Sequence, residues 1–357
     1  MVTLHHKFLD MSIKNFLKKI RNNKIYFTIA CVIGGILLLF MALYLTVPSY
    51  SFNDIEPFKG EFIYNPYSKI DRINYYDFRS QNIENEGINS YEYGYSLSGA
   101  RYLCLGYKDK RKIDYPFLQN IHFKQYNIDQ LNKTSRLVAL AHPSDGFRQV
   151  ELTRLDHYRV MEALSPVDNS LYYWDIALSN GHRVNIIATT GDDAGDNSET
   201  KFVTACIGSN EPDSIFKALE TGNSYAVAYK GLLAEVPQLV SVKLRYDNLY
   251  VTVSKVAKEM RFIGQNAEVK KVVNNVDMGF YPISKDDTYV RTEIEFEDGT
   301  VLYLNPLVRH QYEYFYDLNK AKVMKGRTYL MWGVYIIVVV AMVRWLFIKK
   351  KHEDTGE

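Results

Sequence analysis

The chain is poor in cysteine and has no excess of either charge. It carries only three cysteines in 357 residues, with no CxxC pair and no zinc-site spacing, which excludes a cysteine-based metal site. Cys31 lies in an apolar run and reads as a packed thiol, whereas Cys104 and Cys206 leave one disulfide open. The 43 basic and 41 acidic residues nearly cancel, so the molecule has no nucleic-acid footprint. Tyrosine, by contrast, is frequent at 29, with many between Tyr64 and Tyr107. Such amphipathic rings either pack half-buried strands or line a sugar or lipid groove.

Two long apolar runs bracket the rest. The segment 25–47 has 23 residues without a charge, enough to cross about 30 Å of hydrocarbon as a helix. Its core is longer than that of a signal peptide and continues into Leu45-Thr-Val-Pro-Ser-Tyr50, which favours an uncleaved anchor. The second run, 329–348, holds one charge, Arg344, near its end, and Trp332, Tyr335 and Trp345 lie toward the two ends as an aromatic belt would. Lys14, Lys18, Lys19, Arg21 and Lys24 precede the first run, and Lys349, Lys350 and Lys351 follow the second. Positive-inside reasoning then keeps both termini in the cytoplasm and the central domain outside it, in a two-pass cell-membrane protein. Lys322, Lys325 and Arg327 act against that bias. The segment 8–21 mixes apolar residues with lysines and reads either as an amphipathic helix on an anionic leaflet or as a solvated basic tail.

Between the runs, the pattern divides the chain. From Gly60 to about Ala228, short apolar strands alternate with helical stretches; 102–106, 137–141, 160–163 and 184–188 are strands, and 175–181 and 211–221 are helical. This alternation implies parallel βα units and an open or closed barrel. From Leu232 the texture changes to period two, at 240–244, 249–253 and 288–296, with 301–304 as a return strand after the turn Glu297-Asp-Gly-Thr300. The expected organisation is therefore a basic segment 1–24, a membrane helix 25–47, a barrel-like domain 58–230, a β-rich antiparallel module 231–310, a membrane helix 329–348 and a tail 349–357. Residues 312–322 read as a helical lead into the second span.

The candidate chemistry lies in 136–196. Leu137-Val-Ala-Leu-Ala-His-Pro-Ser144 and Thr189-Thr-Gly-Asp-Asp-Ala-Gly-Asp196 each read as a buried strand ending in polar groups, the placement α/β proteins use for their sites. His142 stands at a strand end before Pro143, and Asp192 and Asp193 are adjacent carboxylates able to bind a divalent cation or to form an ordinary turn.

Ala141-His-Pro143, Trp174 to Val184, Gly191-Asp-Asp-Ala194 and Ser214 to Ala226, taken in order, resemble the polymerase and histidinol phosphatase (PHP) family of metal-dependent phosphoesterases. Thr288 to Glu293 and Tyr303-Leu-Asn-Pro-Leu307 resemble the β-rich extension of its members, and the similarity covers 59–309. The resemblance implies a distorted (β/α)7 barrel with divalent metals held by histidines and carboxylates at strand ends. It places Ile63 and Asn65 at the positions of the family's first His-x-His, where neither is a good ligand. Glu92, His142 and Asp193 match ligand positions, Gly195 stands where a histidine belongs, and Asp192 and Asp196 are substitute oxygen donors. Three matched donors leave room for a single divalent metal, zinc or manganese, at most. The implied function is a PHP-like domain whose metal site is largely lost, with a binding or scaffold role toward an envelope protein or a glycan or lipid ligand. The alternative is a phosphoesterase working from the reduced site.

Overall fold

The structure is a computed structural model that describes residues 24–53, 56–67, 69–80, 83–84, 87–95, 97–112, 114–116, 119–191, 199–311 and 321–354. The chain divides into two compact units, one formed by its two ends and one by Ser51–Lys322.

In the first unit, helix α1 (Lys24–Tyr44) follows the uncharged run and stops ahead of Pro48. The helix near the other end, Lys325–Asp354, is about 45 Å long at 1.5 Å per residue. Both are long and apolar enough to cross a membrane, over Ile25–Tyr44 and Lys325–Arg344. They are joined by polar groups. Trp332 Nε1 donates to Leu45 O at 2.8 Å, Tyr335 Oη to Leu38 O at 3.3 Å and Ser49 N to Thr328 Oγ1 at 3.1 Å. The partners descend one helix as they ascend the other, so the pair is antiparallel. The proposed amphipathic helix at 8–21 lies outside the described residues, as do 312–320 of the expected helical lead. Residues Ala321–Val323 are a strand instead.

The second unit is mixed α/β, with strands β1 (Tyr50–Phe52), β2 (Phe62–Tyr64), β3 (Ile73–Tyr76), β4 (Ser90–Tyr93) and β5 (Arg101–Tyr107), followed by helix α2 (Ile121–Thr134). The Asn120 side chain starts α2 by accepting from the amides of His122 and Phe123. Next come β6 (Ser135–Ala141), the single turns α3 (Pro143–Gly146) and α4 (Gln149–Leu152), β7 (Val160–Leu164), α5 (Leu171–Ser179), β8 (Asn185–Ala188) and β9 (Lys201–Ile207). Helix α6 (Pro212–Thr221) begins on Pro212 and ends at Gly222, whose φ of 83° a side-chain-bearing residue would resist. The remaining strands are β10 (Ser224–Tyr229), β11 (Leu239–Arg245), β12 (Asn248–Gly264), β13 (Glu268–Pro282), β14 (Tyr289–Glu295), β15 (Val301–Leu304), β16 (Leu307–His310) and β17 (Ala321–Val323), and the long terminal helix is α7. The β14–β15 turn is the expected one, with Gly299 at φ 81°.

The expected (β/α)7 barrel is not what forms, because the sheets are open. A five-stranded sheet has the order β4-β5-β6-β7-β8, and only β6–β7 and β7–β8 are parallel. The connection 94–100 between β4 and β5 is too short for a parallel crossover, and β5 runs against β6 as well as β4. A ten-stranded sheet takes β2, β3 and β9 to β16, all in antiparallel pairs, and β1 pairs with β17. Strands on both sides of position 230 share that large sheet, through β10 and β15.

The five-stranded sheet is covered on both faces, as alternation along β5 requires. Tyr102 and Cys104 pack with α2 and α5 through Ile128, Leu131, Trp174 and Leu178. Leu103 and Leu105 face the other way, toward Phe78, Ile88 and, on α6, Ile215, Phe216 and Leu219. Tyr225, Val251, Met260, Phe262, Ile294 and Leu302 fill the core of the large sheet. Cys104 and Cys206 are free and buried, and burial pushes the Cys104 thiol up to about 11.

Polar junctions tie the sheets together. Between β8 and β9 a side chain replaces the ladder, Thr204 Oγ1 accepting from Ala188 N at 2.9 Å and donating to Ala188 O at 3.0 Å. Asn305 accepts from Ile186 N at 2.7 Å and donates to Ser224 O at 2.8 Å. Arg291 on β14 grips Asp175 on α5 with Nε at 2.7 Å and Nη2 at 2.6 Å, while its Nη1 meets Glu293 at 2.5 Å and Trp174 lies under its plane. All three charged groups are buried. Burial opposes the charge on Arg291, but Asp175 and Glu293 outweigh it and hold the guanidinium protonated.

Arg291→Met keeps the stem but deprives the buried Asp175 carboxylate of its guanidinium partner, while Glu293 keeps its pairing with Arg261 at 3.1 Å. The expected loss is about 3–5 kcal/mol, read by urea denaturation of the full chain in detergent. A loss below about 1 kcal/mol would show that the pair does not hold α5 to β14.

Candidate functional site

The C-terminal ends of β4, β6, β7 and β8 lie along one edge of the five-stranded sheet, since β4 opposes β5 as β6 does. The end of β3 reaches the same edge through its antiparallel pairing with β9. Charged and polar groups gather there.

Arg79, two residues beyond Asp77 in the segment that follows β3, is the central group. Its guanidinium lies side-on against Glu162 of β7, with Nε to Oε1 at 2.5 Å and Nη2 to Oε2 at 2.8 Å. Its Nη1 donates to Glu92 Oε2 on β4, and Arg101 Nη1 donates to Glu92 Oε1 at 2.9 Å. Each of the four carboxylate oxygens thus accepts a guanidinium N–H. The Glu162 side chain is 0% exposed and Arg79 17%, so water screens this pair little. Thr189 Oγ1 also donates to Glu162 Oε1. Asp77 fixes the arginine's loop by accepting from Arg79 N at 3.1 Å, Thr190 N at 3.2 Å and Gly191 N at 2.8 Å.

Burial raises the Glu92 carboxyl, but Arg79 and Arg101 outweigh it and leave the group below the ordinary glutamate value. For Arg79 burial again works against the charge, and Glu162 and Glu92 reverse that, holding it firmly protonated.

His142 closes the cluster. It caps α3 in the left-handed region at φ 44°, ψ 59°, a conformation that costs a residue with a Cβ about 1–2 kcal/mol. Its Nδ1 is 3.3 Å from Ser165 Oγ and 3.7 Å from Glu162 Oε2. A nucleophile–histidine–acid relay needs the two partners on different ring nitrogens; here both approach Nδ1. Asp168 beside it accepts from Ser144 Oγ and Ser170 Oγ, each at 2.5 Å. The hydroxyl-rich edge is thereby tied down internally.

No family model, curated protein or solved structure matches this chain. The site has to be read from its own geometry.

Of the residues expected from the sequence, Glu92 and His142 come to this edge, each in contact with the Arg79–Glu162 pair or its carboxylate. Asp192, Asp193, Asp196 and Gly195 lie outside the described residues; Gly191, just before them, is held at the same edge by Asp77. Ile63 and Asn65 are elsewhere. Ile63 pairs with Arg309 in the large sheet, and Asn65 donates to Val242 O at 3.0 Å. Thr189 opens the 189–196 phrase singled out in the sequence, whereas Arg79, Glu162 and Asp77 are not among the expected residues. A signal for Glu162 existed, one acid inside the apolar strand Val160-Met-Glu-Ala-Leu164.

Among the described residues, no group of three or more His, Cys, Asp or Glu side chains is arranged to hold a metal ion. With Arg79 in place, the carboxylates at this edge do not fit one, because a positive guanidinium occupies the space a cation would need and saturates their oxygens.

Because the folded-state pKa of Glu92 is depressed, the stability it supplies is present above the ordinary value of 4.5 and is lost as pH falls through the lower folded value. Glu92→Gln is therefore expected to lower stability at neutral pH and to flatten its decline below pH 4.5. Denaturation midpoints measured against pH check this; parallel curves for the two proteins would refute it.

Proposed function

We propose that the chain is a two-pass membrane protein whose central domain is a PHP-like scaffold without phosphoesterase chemistry, serving a binding or structural role at the cell envelope. Arg79 carries this reading. Metal-assisted phosphoester hydrolysis depends on a metal-bound water of lowered pKa or on a pair of ions clamping the phosphate. The guanidinium laid across Glu162 and Glu92 consumes the oxygens that such ions would take. Asp77 and Arg79 are spaced as a His-x-His pair is and follow a strand to the site edge, while Ile63 and Asn65 do not reach it.

The segments that carry the PHP resemblance support a scaffold in another way. Asp175 in 174–184 and Arg291 in 288–293 form one buried junction, and Asn305 in 303–307 forms a second. Residues of those motifs hold elements together. The basic flanks of the two apolar helices favour cytoplasmic termini and an extracytoplasmic domain facing an envelope protein or a glycan or lipid ligand.

Metal analysis of the full chain, purified in detergent without chelator, should return less than about a tenth of an equivalent of zinc or manganese. Bis-p-nitrophenyl phosphate should not be turned over with either ion added. Turnover that His142→Ala abolishes would overturn the proposal in favour of a phosphoesterase with a reduced site.

A further inference from the structure

We infer that the outer face of β11, β12 and β13 binds an acidic glycan, a sugar polymer carrying carboxylate or phosphate groups. The inference rests on the reading above for its envelope setting and binding role. The face itself belongs to the large sheet, not to the Arg79 edge of the five-stranded one.

Alternation separates the two faces of these strands. Leu249, Val251 and Val253 of β12 and Tyr281 of β13 are buried, so Tyr250 and Phe280 stand on the opposite side. The ladder sets Lys243, Tyr250 and Phe280 in one cross-strand row. Arg245 is in the row toward the hairpin turn, and Ser241 and Thr252 are in the row on the other side. The two rings meet at 5.1 Å and 37°, Phe280 is 36% exposed, and Lys271 Nζ lies 4.7 Å from the Phe280 centroid. Tyr246, in the turn, is 97% exposed and held at φ 47°. A left-handed residue with a Cβ is strained, and so exposed a ring recovers little of that by packing, which marks it as displayed.

The cations of this face are unbalanced. Elsewhere on the same hairpin the bases are paired, Lys258 with Glu295, Arg261 with Glu293 and Lys270 with Glu268. Among the described residues, Lys243, Arg245 and Lys271 form no ion pair. No carboxylate stands in the three rows; Asp247 and Asp277 lie in the turn and at the break in the β12–β13 ladder. The face therefore calls for an anion. A sugar polymer matches the rest of it: the C–H side of a sugar ring packs on an aromatic ring, its hydroxyls suit Ser241 and Thr252, and its acid groups meet the bases. An acidic peptide would instead add a strand to the free edge of β13 and leave the row of rings without a role.

The test uses the full chain in detergent, with polygalacturonate, a polyribitol phosphate, poly-glutamate and oligothymidylate as probes. At least one of the two glycans should bind about tenfold tighter than poly-glutamate or oligothymidylate. Lys243→Gln/Arg245→Gln should weaken that binding about three- to tenfold and flatten its salt dependence. Phe280→Leu keeps the apolar bulk but removes the ring, and should weaken it about threefold without altering the salt dependence. Lys258→Gln, at a base already paired, should leave it unchanged. Should Phe280→Leu fail to fold, Tyr246→Gly decides, because it relieves the strained turn while deleting the displayed ring: weaker binding supports the inference, and unchanged binding overturns it. Binding of neither glycan overturns it, as does binding that survives the charge and ring substitutions or is matched by poly-glutamate. Preference for oligothymidylate overturns it in favour of a nucleic acid. A glycan-binding chain that also takes up metal and hydrolyses the phosphodiester overturns the functional reading and keeps this one. A metal-free, inactive chain that binds neither glycan overturns this inference alone.

Discussion

A carboxylate wholly removed from water needs a partner of opposite charge, and Glu162 has one in Arg79. That requirement sets much of the surrounding geometry. The bidentate pairing fixes the plane of the guanidinium, which in turn aims Nη1 at Glu92 two strands beyond its neighbour. To hold the arginine there, its own loop is pinned by Asp77, whose other oxygen secures the chain leaving β8. Strand ends of two different sheets are thus kept in register around one charge. Such a centre resembles a metal site in its demands on the protein: fixed donors, an orienting outer layer and exclusion of water. It differs in that the cation is covalently part of the chain.

Much of the α/β part could be read from residues alone. Strands at 137–141, 160–163 and 184–188 were legible as apolar runs bounded by turns, and they are β6, β7 and β8 with small changes at their ends. Their arrangement was not. Hydrophobic patterning reports that a strand is buried on both faces, and says little about the direction of its neighbours. The reversed β5 and the open edges at β4 and β8 were therefore hidden, and the barrel implied by resemblance did not appear. In the β-rich part, the period-two alternation that revealed 249–253 is broken where the β12–β13 ladder is irregular between Thr252 and Ala257. The full length of β12 is hidden for that reason, and β13 because it is exposed along most of its length and carries no apolar alternation.

At the site, the legible residues were those with familiar chemistry. His142 and Glu92 are recognisable candidates because imidazole and carboxylate at strand ends are common in sites. Arg79 is harder to recognise, since an arginine in a polar loop is usually solvated. Its importance arises from three-dimensional placement, the meeting of a β3 loop with the middle of β7. The same is true of Arg291, which follows Asp175 by more than a hundred residues and meets it in the core.

The pairing of β2 with β16 sets a condition on how the chain can be made. Phe62 lies opposite His310 and Tyr64 opposite Val308, so the first of these strands has its partner almost at the end of the domain. At about 5–20 residues per second, synthesis of the intervening chain takes on the order of ten seconds to a minute. Throughout that interval β2 awaits a strand not yet translated, and the large sheet stays unfinished. Folding of so non-local a topology is slow even once the chain is complete. During biogenesis the domain passes through a period with exposed apolar strand edges, the condition under which chaperones are needed most.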